Sequence, residues 1–394
     1  MSDLQEVVIA SACRTAIGSF NGALSSLSAP QLGSLVIEEA LKRAGVSGSD
    51  VSEVIMGQVL TAGAGQAPAR QAALGAGIPN TVPCMTINKV CGSGLKSVML
   101  AAQAILVGDA EIVVAGGMES MSNAPYLLDK VRTGYRLGNG ELIDSMIKDG
   151  LWDVYNDYHM GNAAELCARE CHVPRQAQDD FAIHSYKKAI AAQESGFFKD
   201  EIVPVSVPQR KGDPILVHED EEPKRVNFEK LPGLRPAFQK NGSVTAANAS
   251  SINDGAAACV IMSLKRAQQL GIEPLAKIVA QASAAKAPEW FTMAPADAIR
   301  KILDKTHLQL QDIDLFEINE AFSVVNLAVG NELEIDMERM NVHGGAVALG
   351  HPIGASGARI LTTLLYAMKR YEKKRGLATL CIGGGEASAL IVER

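Results

Sequence analysis

The feature that most constrains this chain is that it repeats itself. Asp50-Val51-Ser52-Glu53-Val54-Ile55-Met56 is echoed by Asp312-Ile313-Asp314-Leu315-Phe316-Glu317-Ile318, at an offset of 262 residues. Ser93-Gly94-Leu95-Lys96 is echoed by Ser356-Gly357-Ala358-Arg359 at 263, and Val113-Val114-Ala115-Gly116-Gly117 by Leu380-Cys381-Ile382-Gly383-Gly384 at 267. Three segments in the same order and nearly in register point to two copies of one fold. In each copy, short apolar runs alternate with stretches whose apolar residues recur every three or four positions, as strands alternate with helices. That alternation predicts an α/β fold with mainly parallel strands covered by helices on both faces.

The chain in order agrees with this frame. Residues 7–10 read as a buried strand, 14–18 as a turn or loop, and 32–44 as a helix stopped by Gly45. Residues 51–59 and 111–118 read as strands, with a short helix over 67–75 between them. Between the two copies the pattern breaks. Residues 162–195 read as one long helical stretch ending at Gly196, followed by charged, proline-punctuated extended pieces. This segment predicts an insertion in the first half, forming a lid or a subunit contact, and 253–262 predicts a strand that returns the chain to that half.

Composition narrows the function. A length of 394 residues suits two or three domains. Net charge is −7 with no long basic run, which argues against a nucleic-acid partner. No apolar run reaches the ~18 residues that span a bilayer, and the amino terminus lacks a basic, then apolar, leader. Seven cysteines without a CxxC pair suit a reducing compartment, so a cytoplasmic location is expected. Cys167, Cys171 and His172 have no second cluster to complete a zinc site, and no metal is expected there.

Unusual residue types sit on glycine-rich loops at equivalent places in the two copies. Cys91, in Val90-Cys91-Gly92-Ser93-Gly94, precedes an apolar helical pattern. A helix N-terminus favours a thiolate, and the two glycines open the backbone to a substrate. His351, in Gly350-His351-Pro352-Ile353-Gly354-Ala355-Ser356-Gly357, precedes the second-copy helix in the same way. In a pseudo-twofold duplication these helix starts can face each other across the junction, where ligand sites commonly lie. A histidine beside a cysteine makes a nucleophile. Cys381, ahead of Gly383-Gly384-Gly385, suits a proton shuttle, and backbone N–H groups there and at Cys91 suit an oxyanion hole. Asn319, in Asn319-Glu320-Ala321-Phe322, could orient a water. Each residue also has a structural reading: a turn histidine, core cysteines, an N-cap asparagine. His343, Cys84 and Cys259 are read as structural. No phosphate-binding GxGxxG or GxxxxGK[ST] loop occurs in the required setting.

With these motifs in view the chain resembles the thiolases, in particular the acetyl-CoA acetyltransferase branch. Asn248-Ala249-Ser250, Asn253-Asp254-Gly255-Ala256-Ala257 and Tyr158-His159-Met160-Gly161 extend the match to essentially the whole length. The resemblance implies a duplicated five-layered αβαβα architecture with an inserted loop domain. Its expected division is 1–119 plus 250–271, 120–249, and 272–394. It implies that Cys91 carries an acyl group as a thioester, that His351 activates Cys91, and that Cys381 moves the α-proton of a second acyl-CoA. Asn319 would hold a water in one oxyanion hole, and the N–H groups of Cys91 and Gly383 would form the other. Leu151, His159, Met160, Ser250, Phe291, Ala321 and Phe322 would line the substrate site, and Lys224 or Arg225 would meet the coenzyme A phosphates. Acyl-CoA and CoA are the implied partners, with no further cofactor. A homotetramer, a dimer of dimers, is implied, with 121–146 as the tetramerisation loop. Two departures stand out. Phe291 and Thr292 replace the family's Met and Gly, and Glu386-Ala387 replaces Met-Gly after the glycine run. A ketoacyl-CoA thiolase of another chain length, or a CoA-binding scaffold with little turnover, is the competing expectation. A condensing synthase of the same superfamily is disfavoured by the second cysteine.

Overall fold

The computed structural model describes residues 5–394, so most of the amino-terminal stretch read above for a leader lies outside the described residues. The principal strands are β1 (Val7–Thr15), β2 (Glu53–Gly57), β3 (Cys84–Ile87), β4 (Ile112–Ser120), β5 (Asn253–Ser263), β6 (Ala276–Ala285), β7 (Leu315–Ile318), β8 (Arg375–Ile382) and β9 (Glu386–Glu393). The principal helices are α1 (Ala29–Ala44), α2 (Pro68–Gly75), α3 (Ser93–Val107), α4 (Met160–Glu170), α5 (Arg175–Glu194), α6 (Ala294–Thr306), α7 (Ser323–Leu333) and α8 (Ser356–Arg370).

The strands form one continuous sheet in the order β7-β8-β9-β6-β1-β5-β4-β2-β3. Read outward from its centre, one arm runs β1-β5-β4-β2 and the other β6-β9-β8-β7, so the repeated segments occupy the same places in both arms. The arms meet in a short antiparallel contact, Val8 opposite Lys277 and Ile9 opposite Ala276.

Side chains alternate across each arm and fill three apolar layers. Val54, Val114 and Val260 pack against α1 and α2 on one outer side. Val113 and Ile261 from one arm, and Leu380 and Val392 from the other, enclose α3 and α8. Phe316, Ile318 and Ile391 pack against α6 and α7 on the far side. The layer order is therefore helix, sheet, helix, sheet, helix.

The middle layer holds α3, within a stretch, Val90–Val107, that by length and composition could cross a membrane but here packs as a core helix between the two arms of the sheet. Here α3 crosses α8 backbone to backbone. A Cβ on Gly357 would lie 2.3 Å from the Leu95 nitrogen, and one on Gly94 2.8 Å from the Ala358 nitrogen. The repeated Ser-Gly marks this crossing.

Strand direction corrects the expectation of mainly parallel strands. The outer pairs β2–β3, β2–β4 and β7–β8 are parallel. The inner pairs β1–β5, β5–β4, β6–β9 and β8–β9 are antiparallel. Connectivity is the cause. The Gly383-Gly384-Gly385 turn is too short for a crossover, and β5 arrives from the insertion rather than from a helix that spans the sheet.

The residues read as a loop at 14–15 instead continue β1. Arg14 is fully buried and forks onto Asp220 at 2.7 and 2.9 Å, with its Nε 2.6 Å from Glu201. Both carboxylates come from the insertion, so this network fastens that segment to the first arm. Removing one partner of such a buried pair costs ~3–5 kcal/mol. The single helix expected over 162–195 is two. His172, at φ +55°, and Pro174 break it between α4 and α5, because proline cannot continue the helical hydrogen bonding and disfavours helix in the residue before it.

Candidate active site

Cys91 lies two residues ahead of α3, on a sharp turn. Val90 before it has φ +44°, a strained value for a β-branched residue. The Ser93 side chain holds the turn, accepting from the Lys89 N–H at 2.8 Å and donating to the Val90 carbonyl at 2.7 Å. An ion pair between Lys89 and Glu386 ties this turn to the β8–β9 hairpin. Gly92 touches that hairpin too: a Cβ there would lie 2.3 Å from Ile382 Cδ1.

Cys381 ends β8 on the far side of the contact and is buried. The glycines after it turn the chain with φ +89° at Gly384 and +87° at Gly385. The backbone N–H groups of Gly383 and of Cys91 itself lie against the Cys91 sulfur. The two thiols are close enough that charge on Cys91 opposes ionisation of Cys381.

His351 is buried in the loop before α8. Its backbone N–H donates to Asn253 Oδ1 at 2.9 Å. Its Nδ1 lies 2.5 Å from Ser356 Oγ, and that hydroxyl donates to the Pro352 carbonyl at 2.9 Å. The serine proton is thus committed, so Nδ1 carries hydrogen and Nε2 is left with its lone pair. Asn319 Nδ2 stands 3.5 Å from Nε2, and Asn319 Oδ1 is buried without a protein partner. Behind the loop, Glu119 accepts from the N–H groups of Val59, Leu60 and Gly354 at 3.0, 3.2 and 2.9 Å. Burial nonetheless pushes its carboxyl up to about 7.

Electrostatics correct the expectation of a lowered thiol pKa at Cys91. Burial pushes it up to about 11, and the N–H groups of Gly383 and Cys91 only partly offset this. Burial, with a smaller contribution from Arg359, pushes His351 down to about 3. Cys381 is raised well above the usual thiol range by burial and then by Cys91. The helix start is visible in sequence; the depth of the sulfur is not.

These groups converge on a cavity of about 270 Å³. Cys91, Leu151, His159, Met160 and Ser250 line it, as do Phe291, Ala321, Phe322, His351 and Gly383. Cys381 and Asn319 are not on that lining: Asn319 Nδ2 lies 3.5 Å from His351 Nε2, and Cys381 lies within electrostatic reach of Cys91. The Ser250 hydroxyl and N–H both donate to the Ala321 carbonyl at 3.0 Å. His159 caps α4, its Nδ1 accepting from the Gly161 N–H at 3.0 Å. Lys224 and Arg225 are not on the cavity wall. They form an exposed turn, with Lys224 paired to Glu219.

With that geometry in hand, the sequence matches the family description "Thiolase, N-terminal domain" over residues 7–265 and "Thiolase, C-terminal domain" over 272–394. The chain belongs to the thiolase family. An acetyl-CoA acetyltransferase of Cupriavidus necator is 58% identical over 392 residues, covering 99% of this chain and 100% of that protein. One from Escherichia coli is 56% identical, at 99% and 100% coverage. The crystal structure of the Bacillus anthracis acetyl-CoA acetyltransferase matches this thiolase with a TM-score of 0.98 at 44% identity, over 100% of both chains.

Two members of the thiolase site carried no clear sequence signal. Ser356, which fixes the His351 tautomer, lies in a quoted motif but can be assigned only from the bond it makes. Phe238 comes from the insertion and stacks on His159, with ring centroids 4.7 Å apart. Of the departures, Phe291 meets Phe322 edge to face at 6.4 Å, and Thr292 is buried beside the Cys167 sulfur.

Proposed function

We propose that this thiolase is an acetyl-CoA C-acetyltransferase. It would interconvert two acetyl-CoA with acetoacetyl-CoA and CoA through an acyl-Cys91 intermediate. One observation carries the reading. Cys91 and His351, from opposite arms of the doubled scaffold, line one cavity, with Cys381 within electrostatic reach of Cys91 and the His351 Nε2 lone pair facing only the Asn319 amide at 3.5 Å. The names of the related proteins support the acetyl preference.

The resting groups are neutral, and the steps balance. Cys91 gives its proton to His351 Nε2 as its sulfur attacks the acyl carbonyl. The oxyanion is received by the N–H groups of Cys91 and Gly383. The departing CoA sulfur takes the proton of Cys381 and leaves as CoA thiol. Cys381 is left as thiolate only when the CoA sulfur has taken its proton, and the acylated Cys91 sulfur carries no charge to oppose it, so the base is armed only in the second half-reaction. Cys381 then takes the α-proton of a second acetyl-CoA. The enolate oxygen is held by imidazolium and by a water on Asn319, which the unpartnered Asn319 Oδ1 supports. The new C–C bond expels Cys91 as thiolate, and His351 returns its proton. A thioester stays activated throughout, so the chemistry calls for no metal or further cofactor.

The Cys91 half would comprise 1–119 plus 250–271, the inserted loop domain 120–249, and the His351–Cys381 half 272–394. The CoA nucleotide would extend past the cavity mouth, with Lys224 or Arg225 as candidate phosphate contacts. A homotetramer is supported by the hairpin Tyr126–Leu128 and Leu142–Asp144, which exposes Tyr126, Leu128, Leu137 and Leu142. The free state of all seven cysteines supports a cytoplasmic location.

The test is CoA-dependent cleavage of acetoacetyl-CoA, with Cys91→Ala as control. A chain-length series of ketoacyl-CoA substrates decides between acetyl and longer-chain preference. Wild type and Cys91→Ala that are equally inert but bind CoA would replace the enzyme reading with a scaffold.

A further inference from the structure

We infer that the buried pair Arg359–Glu317 is a positioning device that sets the spacing between His351 and Asn319. The inference rests on the thiolase reading above. Glu317 is two residues before Asn319 on the strand end at β7, so both side chains leave the same face. Arg359 is three residues after Ser356 on α8, so those two share a helix face. Between these elements, Asn319 Nδ2 approaches His351 Nε2 at 3.5 Å while Ser356 holds His351 Nδ1 at 2.5 Å. One step along, Arg359 Nη1 faces Glu317 Oε2 at 3.7 Å, with both side chains 2% exposed. The ion pair is the next rung between the same strand and the same helix.

The pair is a poor device for stability alone. All three guanidinium nitrogens and both Glu317 oxygens lack a protein hydrogen-bond partner. The nearby Glu201 spends Oε1 on Arg14 and Thr363, at 2.6 and 3.1 Å, and its Oε2 is unpartnered. Apolar side chains of similar volume would fill this space at no greater cost. Burial pushes the Glu317 carboxyl up to about 8 while Arg359 pulls it down; what apolar residues would not supply is this polar pairing between β7 and α8, and a guanidinium behind the imidazole that works against its protonation in the resting state.

The decisive variant is Arg359→Met/Glu317→Leu, which removes both charges together and leaves neither partner stranded. The measurements are the melting temperature, and kcat and KM for CoA-dependent cleavage of acetoacetyl-CoA. The expected result is a folded protein with KM within about twofold of wild type and kcat down about 10- to 100-fold, the scale of a sub-ångström to 1 Å misplacement. Arg359→Lys, which keeps the charge and loses the fork, should lose less. If the double variant does not fold, Glu317→Gln carries the same expectation of a kcat loss at unchanged KM. A folded variant turning over at the wild-type rate, or one whose loss is confined to KM, would overturn the positioning role. An inactive wild-type protein would instead overturn the proposed acetyltransferase activity.

Discussion

Burial pushes the Cys91 thiol up to about 11 and the His351 imidazole down to about 3, so at neutral pH the resting pair is uncharged on both sides. The proton must move as the sulfur attacks, rather than beforehand. The rate of Cys91 acetylation by acetyl-CoA should therefore be flat from about pH 5 to 9. It should fall only where His351 gains its proton, toward the acid end. A limb centred between pH 6 and 7 in the pre-steady-state rate that persists in Glu119→Gln, which removes the carboxyl at about 7 behind the loop, would contradict a buried, neutral imidazole. Asn319→Ala should lower kcat by about 10²–10³-fold, as removal of an oxyanion donor does. Ser356→Ala should cost about tenfold or more by freeing the tautomer; both are read in the thiolysis assay with KM alongside. That Cys91 and His351 share a cavity is legible in sequence because both sit on glycine-rich loops at repeated positions. The roles of Ser356 and Phe238 are not, because they exist only in bonds and stacking made across the fold. The sign of the Cys91 shift is not legible for a related reason: dipole position follows from local pattern, whereas desolvation depends on everything packed around the sulfur.

The two inner helices decide whether the reactive loops meet. Since α3 and α8 touch backbone to backbone at Gly94 and Gly357, a methyl group at Gly357, 2.3 Å from the Leu95 nitrogen, must push them apart. Gly357→Ala should destabilise the protein by ~1–3 kcal/mol, as overpacking does. It should also reduce kcat, because the Cys91 turn and the His351 loop move with their helices; denaturant melts and thiolysis rates check the two effects together. Gly385→Ala is strained twice, by φ +87° and by a Cβ 2.4 Å from the Lys286 carbonyl oxygen, and should disturb the hairpin that carries Cys381. At this scale the helix stop at Gly45, with φ +66°, was readable from its residue type alone. Strand direction was not. Apolar runs look alike whether a strand enters from a crossover helix or from a long insertion, and β5 does the latter. The break at His172–Pro174 is hidden in the sequence because apolar periodicity resumes on both sides of it.

For the molecule as a whole, the repeat was the most informative signal, since one duplication places two helix starts, two glycine loops and a cavity around a shared junction. What it could not supply was the insertion, which has no second copy to compare with. Yet the insertion delivers Leu151, His159, Met160 and Phe238 to the cavity and is fastened by the Arg14 network. Replacing residues 126–144 with a short Gly/Ser linker should leave a folded chain of smaller assembly state, read by light scattering after size-exclusion chromatography. An unchanged assembly state would assign subunit contact elsewhere. The central claim is that both halves of the scaffold act on one thioester at Cys91. It is tested most directly by incubating wild type, Cys91→Ala and Cys381→Ser with acetyl-CoA and locating bound acetyl by peptide mass spectrometry. One acetyl on Cys91 is expected in wild type and in Cys381→Ser, with acetoacetyl-CoA formed only by wild type, and no label in Cys91→Ala. Acetyl on another residue, or acetoacetyl-CoA made by Cys91→Ala, would contradict the central claim.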